Sequence, residues 1–379
     1  MIKIGAISMD INTKAFNYGS WLHSYAFQSF LNKNPSLFCE IIDYKRPDQE
    51  GYNLKNPASY FLKNKDYKNF LKFLLFRCRY LAKYKKFKNF LKSKMFVSKT
   101  RFNKELLSSS SLDYDILICN SDTIWTPRKN GCFDEAYFLA LPSMEGIPKI
   151  AYSPSMGNAV FPNSLDNLLK QYLEDFSYIS CRESYEKKVL EKYTSKEVTH
   201  VLDPVFLLDK TEYLELIKKP YHKEKYILIY QPVDKSEQLV LSALEYAKKR
   251  SLKVIEISTE IYRKTPKTIT VDYKAGPIDF ISAINSAECV FTNSFHAICF
   301  SIIFNKQFFA FGRKDNLKVV EICKRFSLSN RYSENGCLAA NEIDFSLVSA
   351  IKDKLINISK EWLINAIFSC SESNNHYDE

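Results

Sequence analysis

Short β-rich runs alternate with amphipathic stretches through the first half of the chain, which is the pattern of βα units around a mainly parallel sheet. The pattern predicts strands at residues 3–8, 38–43, 116–119, 149–152, 178–181 and 199–202. Asp203-Pro204 ends the last of them, and a Lys-rich polar segment at 209–225 follows. Pro220 breaks any continuous helix there, so the segment is expected to be a linker. Alternation resumes with the strand Tyr226-Ile227-Leu228-Ile229-Tyr230, a helix over 237–250 and strands at 253–257 and 288–292. Near the end, Leu347, Ile351, Leu355, Ile358, Trp362 and Ile367 recur at helical spacing.

A length of 379 residues exceeds what one hydrophobic core usually serves, so two domains are expected. They are placed at 1–210 and 225–345, with a helical element at 346–370 packing back across them. The composition agrees: 46% hydrophobic residues with only 9 Gly and 13 Pro excludes both a disordered chain and a small-strand β protein. The first residues read as a strand rather than a secretory signal, and no uncharged apolar run is long enough to cross a bilayer. The expected location is cytoplasmic, at the inner face of the membrane if any surface attaches there.

Lys and Arg total 54 against 43 Asp and Glu, a balance of +11 that suits anionic partners. Much of the excess is in segment 61–101, where Phe70, Leu71, Leu74, Leu75, Leu81, Phe87 and Leu91 mix with Lys at helical intervals. Two readings stand: amphipathic helices with solvated lysines, or a peripheral surface that meets anionic lipid or a lipid-pyrophosphate-linked acceptor. No nucleic-acid-binding motif accompanies the charge, so nucleic acid is not expected as a partner. The ten cysteines form no C-x-x-C pair and several lie in apolar runs, which predicts buried free thiols and no metal site.

Candidate chemistry concentrates where strands give way to helices. At Thr292-Asn293-Ser294-Phe295-His296, Asn293 and Ser294 are good helix-cap residues, and the N-terminus of a helix favours a phosphate or carboxylate. His296 would stand in the first turn, as a proton-transfer group near neutral pH or as a histidine satisfied inside the fold. Arg182, after Tyr178-Ile179-Ser180-Cys181, can grip an anion through two parallel hydrogen bonds or pair with Glu183 or Glu186. Asn17-Tyr18-Gly19-Ser20 and Asn120-Ser121-Asp122 occupy equivalent turns, and ligands of open α/β sheets bind beyond the carboxyl ends of strands. Neither G-x-G-x-x-G nor a Walker-type loop is present, and no G-x-S-x-G elbow occurs.

In this order, these segments resemble the polysaccharide pyruvyl transferase family along nearly the whole chain. The matching pieces are Asn17-Tyr18-Gly19, Tyr25-Ala26-Phe27-Gln28, Ile41-Ile42-Asp43-Tyr44, Asp113-Tyr114-Asp115, Ser121-Asp122-Thr123-Ile124-Trp125 and Ala151-Tyr152-Ser153-Pro154-Ser155. They continue with Ser180-Cys181-Arg182-Glu183, Asp203-Pro204, Thr292-Asn293-Ser294-Phe295-His296, Arg331 and Ser359-Lys360-Glu361-Trp362-Leu363. The resemblance implies an α/β fold of two Rossmann-like domains like the GT-B glycosyltransferases, with phosphoenolpyruvate as donor substrate and no cofactor. It implies catalytic roles for His296 and Arg182, donor binding by Ser294, Asn293, Arg313 and Arg331, and acceptor binding by Asn17, Gly19, Ser121 and Asp122. Ser294 stands where some members carry arginine and Ala297 where glycine is common, so Arg313, Lys314 or Arg331 is expected to supply the cation for the donor phosphate. Asn120 replaces a frequent glycine, which implies an altered acceptor pocket. The expected reaction transfers a pyruvyl group to a hydroxyl pair of a glycan or lipid-linked sugar in cell-surface polysaccharide biosynthesis. A nucleotide-sugar glycosyltransferase and a noncatalytic binder of membrane-linked glycan intermediates are the alternatives.

Overall fold

The computed structural model describes residues 1–8, 14–128, 131–157, 162–232, 234–312, 316–334, 336 and 341–375. β1 (Ile2–Ser8) leads through α1 (Tyr18–Leu31) to β2 (Leu37–Tyr44). Three helices follow, α2 (Ala58–Lys63), α3 (Tyr67–Leu75) and α4 (Arg77–Lys94), then β3 (Val97–Phe102), α5 (Lys104–Ser109) and β4 (Ile116–Asn120). The first half closes with β5 (Lys149–Tyr152), α6 (Asp166–Glu174), β6 (Tyr178–Cys181), α7 (Ser184–Leu190), β7 (Val198–His200) and the short α8 (Lys210–Leu214).

A second set of βα units begins at β8 (Tyr226–Tyr230) and α9 (Glu237–Arg250), then β9 (Lys253–Ile257), β10 (Ile269–Asp272) and α10 (Pro277–Ser286). It continues through β11 (Cys289–Thr292), α11 (Phe295–Ile303), β12 (Gln307–Phe311), α12 (Leu317–Arg325), β13 (Tyr332–Ser333) and the long α13 (Phe345–Asn375).

All strand pairs are parallel, in one sheet ordered β3-β2-β1-β4-β5-β6-β7 and a second ordered β10-β9-β8-β11-β12-β13. In the first sheet the direction of winding reverses between β1 and β4, and in the second between β8 and β11. Crossover helices leave to opposite faces at such a point, which opens a crevice at the carboxyl ends of the two strands. Ser8 is in register with Asn120 across the first reversal, and Tyr230 with Thr292 across the second. The four polar turns singled out from the sequence lie at or beside these two crevices.

One apolar core runs without a break through both halves, from Ile4, Trp21 and Phe27 to Phe280, Ile298 and Phe308. Smaller clusters fill the outer face of each sheet. Tyr18 ties the halves together: its ring stacks on Phe280 at 4.9 Å and its hydroxyl donates to the Ala275 carbonyl at 3.1 Å. The terminal helix α13 spans a longer stretch than the expected 346–370 and returns to the first sheet. There Trp362 meets Tyr152 at 6.2 Å, and Ser359 Oγ accepts from the Leu202 N–H at 2.9 Å.

Three strands of the second sheet, β10, β12 and β13, and one of the first, β3, were not expected from the pattern. β3 reads Val97-Ser98-Lys99-Thr100-Arg101-Phe102 and forms the sheet edge, where charged side chains discourage pairing with other chains. The same residues extend the basic run of segment 61–101 and so mask the strand. β7 ends at His200 instead of 202, and the segment expected to be a plain linker contains α8, held by an Asp209/Glu212 capping box.

Candidate functional site

At the first crevice, Asn17 caps α1 by accepting from the Ser20 N–H at 3.3 Å. Gly19 follows in the first turn, and a Cβ there would sit 2.2 Å from His296 Nδ1. Only glycine lets the two elements approach this closely. Beyond β4, Ser121 and Asp122 both adopt left-handed backbone, with φ of 49° and 57°. Such a conformation is strained for serine and persists where surrounding bonds fix it. Ser121 N–H donates to the Tyr152 carbonyl at 3.1 Å, its hydroxyl donates to Asp203 Oδ2 at 2.8 Å, and Asp122 Oδ1 accepts from the Thr123 N–H at 2.9 Å. The turn therefore aims the Asp122 carboxylate back toward α1, where Ser20 Oγ donates to Oδ2 at 3.4 Å.

At the end of β6, Arg182 is buried. Its Nε donates to Glu183 Oε1 at 2.7 Å and its Nη1 to Asp203 Oδ2 at 3.1 Å, while Nη2 has no partner among the described residues. The guanidinium lies 4.2 Å above the ring of Phe295, which belongs to the other half of the molecule. Asp203 is the hub: buried, it also holds the next turn through the Val205 N–H at 3.1 Å.

The second crevice supplies the remaining groups. Ser294 caps α11, its Oγ accepting from the Ala297 N–H at 3.3 Å and its own N–H donating to Thr292 Oγ1 at 3.0 Å. One turn in, His296 Nε2 faces Asp203 Oδ2 at 3.6 Å, an ion-pair separation longer than a hydrogen bond. His296 is thus pinned between the Gly19 backbone and a carboxylate already shared by Arg182 and Ser121. Its ring lies nearly parallel to that of His23, with centroids 5.8 Å apart and planes 17° apart. His23 is wholly buried, and neither ring nitrogen has a hydrogen-bond partner among the described residues.

Charge in this cluster is strongly ordered. Burial alone would raise the Asp203 carboxyl, but His296 and Arg182 outweigh it and hold the group far below the ordinary carboxylate range. Asp122 follows the same rule: burial opposes ionisation, and His296, Lys318 and Arg182 overcome it. Burial works against the Arg182 charge too, yet Glu183, Asp203 and Asp122 secure it. His23 goes the other way, because burial pushes it down to about 4 and leaves it neutral. The result is two fixed anions, one fixed cation and an imidazole that faces a carboxylate at 3.6 Å, an arrangement suited to proton transfer.

Of the residues singled out from the sequence, the structure gathers His296, Arg182, Ser121, Asp122, Gly19 and Ser294, with Asn17 capping the helix that carries Gly19. Asn293 is adjacent, but its amide donates to the Asp234 carbonyl at 2.6 Å, leaving Oδ1 buried and without a partner among the described residues. Arg331 stands elsewhere. It is buried at the β12–β13 edge, donating to Gln307 Oε1 at 3.2 Å and to the Asn341 carbonyl, with its guanidinium 5.1 Å over Phe309. Arg313 and Lys314 lie outside the described residues.

Sequence reasoning missed three members. Asp203 was read as a strand end and, with Pro204, as a piece matching the family, but with no role in the site. His23 could have been found, since it follows Gly19 by four residues and shares its helix face. Lys318 on α12, whose charge acts on Asp122, carries no local signal.

No curated protein sequence matches this chain. Among solved structures, UDP-GlcNAc 2-epimerase from Methanocaldococcus jannaschii in complex with UDP-GlcNAc and UDP shares 12% identity, with a TM-score of 0.50 over 97% of this chain and 100% of that one. The structure assigned to UDP-N-acetylglucosamine 2-epimerase from Listeria monocytogenes shares 10% identity, with a TM-score of 0.51 over 95% of this chain and 89% of that one. At such identities the likeness is one of fold: two Rossmann-like domains in a GT-B-like arrangement. A sharper match comes from the model of the family described as polysaccharide pyruvyl transferase, which spans residues 17–316. That span opens at the Asn17 cap beside Gly19, takes in Asp122, Arg182, Asp203 and His296, and covers most of the chain, which therefore belongs to the polysaccharide pyruvyl transferase family.

Proposed function

We propose that the protein transfers a pyruvyl group from phosphoenolpyruvate to a pair of hydroxyls on a glycan or lipid-linked sugar during cell-surface polysaccharide biosynthesis. The observation that carries this reading is the meeting of Arg182, from the first sheet, with His296, from the second, across the buried Asp203 carboxylate in a chain of this family.

The chemistry needs a proton for the enol carbon, anchors for the donor anions and a means of orienting two hydroxyls. His296, faced by Asp203, gives a proton to the methylene carbon, and positive character develops at the adjacent carbon. The first sugar hydroxyl attacks there, and its proton passes to a phosphate oxygen. The carbon–oxygen bond to phosphate then breaks, hydrogen phosphate departs, and the second hydroxyl closes the ketal while returning a proton to His296. No metal or cofactor enters this scheme.

Arg182 Nη2 and the Ser294 hydroxyl, whose oxygen accepts from the Ala297 N–H and whose proton has no acceptor among the described residues, anchor the donor together with the α11 terminus. Lys318 joins Arg313 and Lys314 as a candidate cation for the phosphate. Asp122, kept ionised, accepts hydrogen bonds from the acceptor hydroxyls.

The test is incubation with phosphoenolpyruvate and a panel of galactosides and mannosaminides, followed by mass spectrometry for a pyruvate ketal and by assay of released phosphate. His296→Ala should lower ketal formation by about 10²–10⁴-fold, the usual worth of a general acid. A variant that retains near wild-type turnover would overturn the assignment. Tight binding of a nucleotide sugar, with no response to phosphoenolpyruvate, would instead favour a glycosyltransferase.

A further inference from the structure

In a helix packed on a soluble protein, the apolar stripe faces the core. α3 does the reverse. Of its residues only Phe73 is buried, whereas Tyr67, Leu71, Leu74 and Leu75 are 60%, 57%, 49% and 76% exposed. At 3.6 residues per turn these four share one outward arc, and Leu62 at the end of α2 extends it. The arc is not a loose flap. Phe73 packs edge-on to Tyr80 at 5.1 Å, and Phe76 stacks on Tyr262 of the other half at 4.6 Å, so the carboxyl end of α3 is fastened while its leucines point outward.

The charge around this arc is as lopsided as its burial. Residues 61–101 hold fourteen Lys and Arg and a single acid, a local excess larger than the chain's whole +11, which leaves the remainder slightly acidic. Lys63, Lys65 and Lys68 are exposed beside the leucines. The one acid, Asp66, is occupied as the α3 cap, accepting from Asn69 N and Nδ2 at 3.1 and 2.7 Å.

We propose that the α2–α3 face docks on an anionic lipid bilayer, with the leucines entering the acyl boundary and the lysines meeting phosphate headgroups. Both attractions are required for stable peripheral attachment, and this face supplies both. A second copy of the chain fits poorly, because a two-fold contact sets the same basic patch against itself. No helix among the described residues is long and apolar enough to cross a membrane, so the attachment is peripheral. A cavity of about 360 Å³ lies against the inner side of α3, lined by Lys14, Phe16, Tyr52, Tyr60, Tyr80 and Tyr262 among others. Docking brings it close to the headgroups, where a lipid-carried sugar would sit; this consequence rests on the proposed function, whereas the docking does not.

Co-sedimentation of the full chain with vesicles tests it, using neutral phosphatidylcholine and phosphatidylcholine containing about one third phosphatidylglycerol. Wild type should prefer the anionic vesicles by about tenfold or more and release them as salt rises. Leu71→Ser, Leu74→Ser and Leu75→Ser combined should lower binding about tenfold, as should Lys63→Gln, Lys65→Gln and Lys68→Gln combined. All six positions are exposed, so circular dichroism should match wild type. Indifference of the wild type to anionic vesicles, or undiminished binding by the serine triple, would overturn the proposal whatever the ketal assay shows. A dimer in light scattering that the serine triple dissolves, without vesicle binding, would overturn it in favour of a second copy.

Discussion

Asp203 accepts from Ser121 and Arg182 and faces His296, so one carboxylate fixes a strained turn, a cation and the proposed proton donor. Asp203→Asn keeps the shape but removes the charge that faces His296 and pairs with Arg182. Ketal formation should fall by about 10³–10⁴-fold, and breaking a buried ion pair by losing one partner costs about 3–5 kcal/mol of stability. Turnover and thermal unfolding of the same variant check both halves of this expectation. Acid sensitivity is also set by single residues. His23 is lowered from 6.5 to about 4, chiefly by burial, with His296 and Arg182 adding to it and Asp203 and Asp122 opposing. A histidine with a depressed folded pKa binds fewer protons folded than unfolded, so stability is intact above pH 6.5 and lost as pH falls toward 4. The shift corresponds to about 3 kcal/mol at full protonation. His200 is also lowered to about 4, by burial and then Arg325, and contributes in the same window. His23→Phe should therefore remove part of the loss of unfolding temperature between pH 6.5 and 4, while leaving the part due to His200.

Elements were legible where pattern and burial agree. β1, β4, β6 and β11 are short, largely buried runs, and the residues that follow them put Gly19, Ser121 and Asp122, Arg182, and His296 at one kind of position. β12 was hidden for the opposite reason to β3: α11 is buried at every position, and only Phe304, Asn305 and Lys306 separate it from Gln307–Phe311, so a largely apolar stretch with a brief polar interruption conceals a helix and a strand. Nor could spacing reveal that Arg331 braces the far sheet edge, because its partners come from residues 307 and 341. The close approach of α1 to α11 was equally invisible, since it depends on a distance between two helices. That approach is testable at one atom. Gly19→Ala places a methyl where His296 Nδ1 lies, and the helix tolerates alanine better than glycine. The variant should remain folded by circular dichroism yet lose about 10²-fold or more in turnover, the scale expected when a reacting group is displaced by about 1 Å.

Joining two sheets into one molecule required burying a charged side chain. Lys83, on α4, is fully buried between the halves, where its Nζ donates to the Ser258 carbonyl at 2.5 Å and lies 5.4 Å from the centroid of the Tyr18 ring. Burial pushes its ammonium down from 10.5 to about 7; Lys86 and Lys235 add to the effect and Asp272 opposes it. The lysine thus links the basic helices to the second sheet at a cost. Unfolded, the group stays protonated up to about pH 10.4, whereas folded it releases its proton near 7, so the penalty is fully present below 7 and lifts as pH rises toward 10. By that linkage the penalty is on the order of 4 kcal/mol at neutral pH. Lys83→Met fills similar volume without the charge and forfeits one hydrogen bond to a carbonyl, worth about 1–3 kcal/mol when its acceptor is left buried. The burial term is the larger, so the variant should unfold at a higher temperature than wild type at pH 7. It should also lack the wild type's gain in stability between pH 7 and 10. An unfolding temperature below wild type at pH 7, with the alkaline gain still present, would mean that the contact to Ser258 holds the two halves together more strongly than the buried charge strains them.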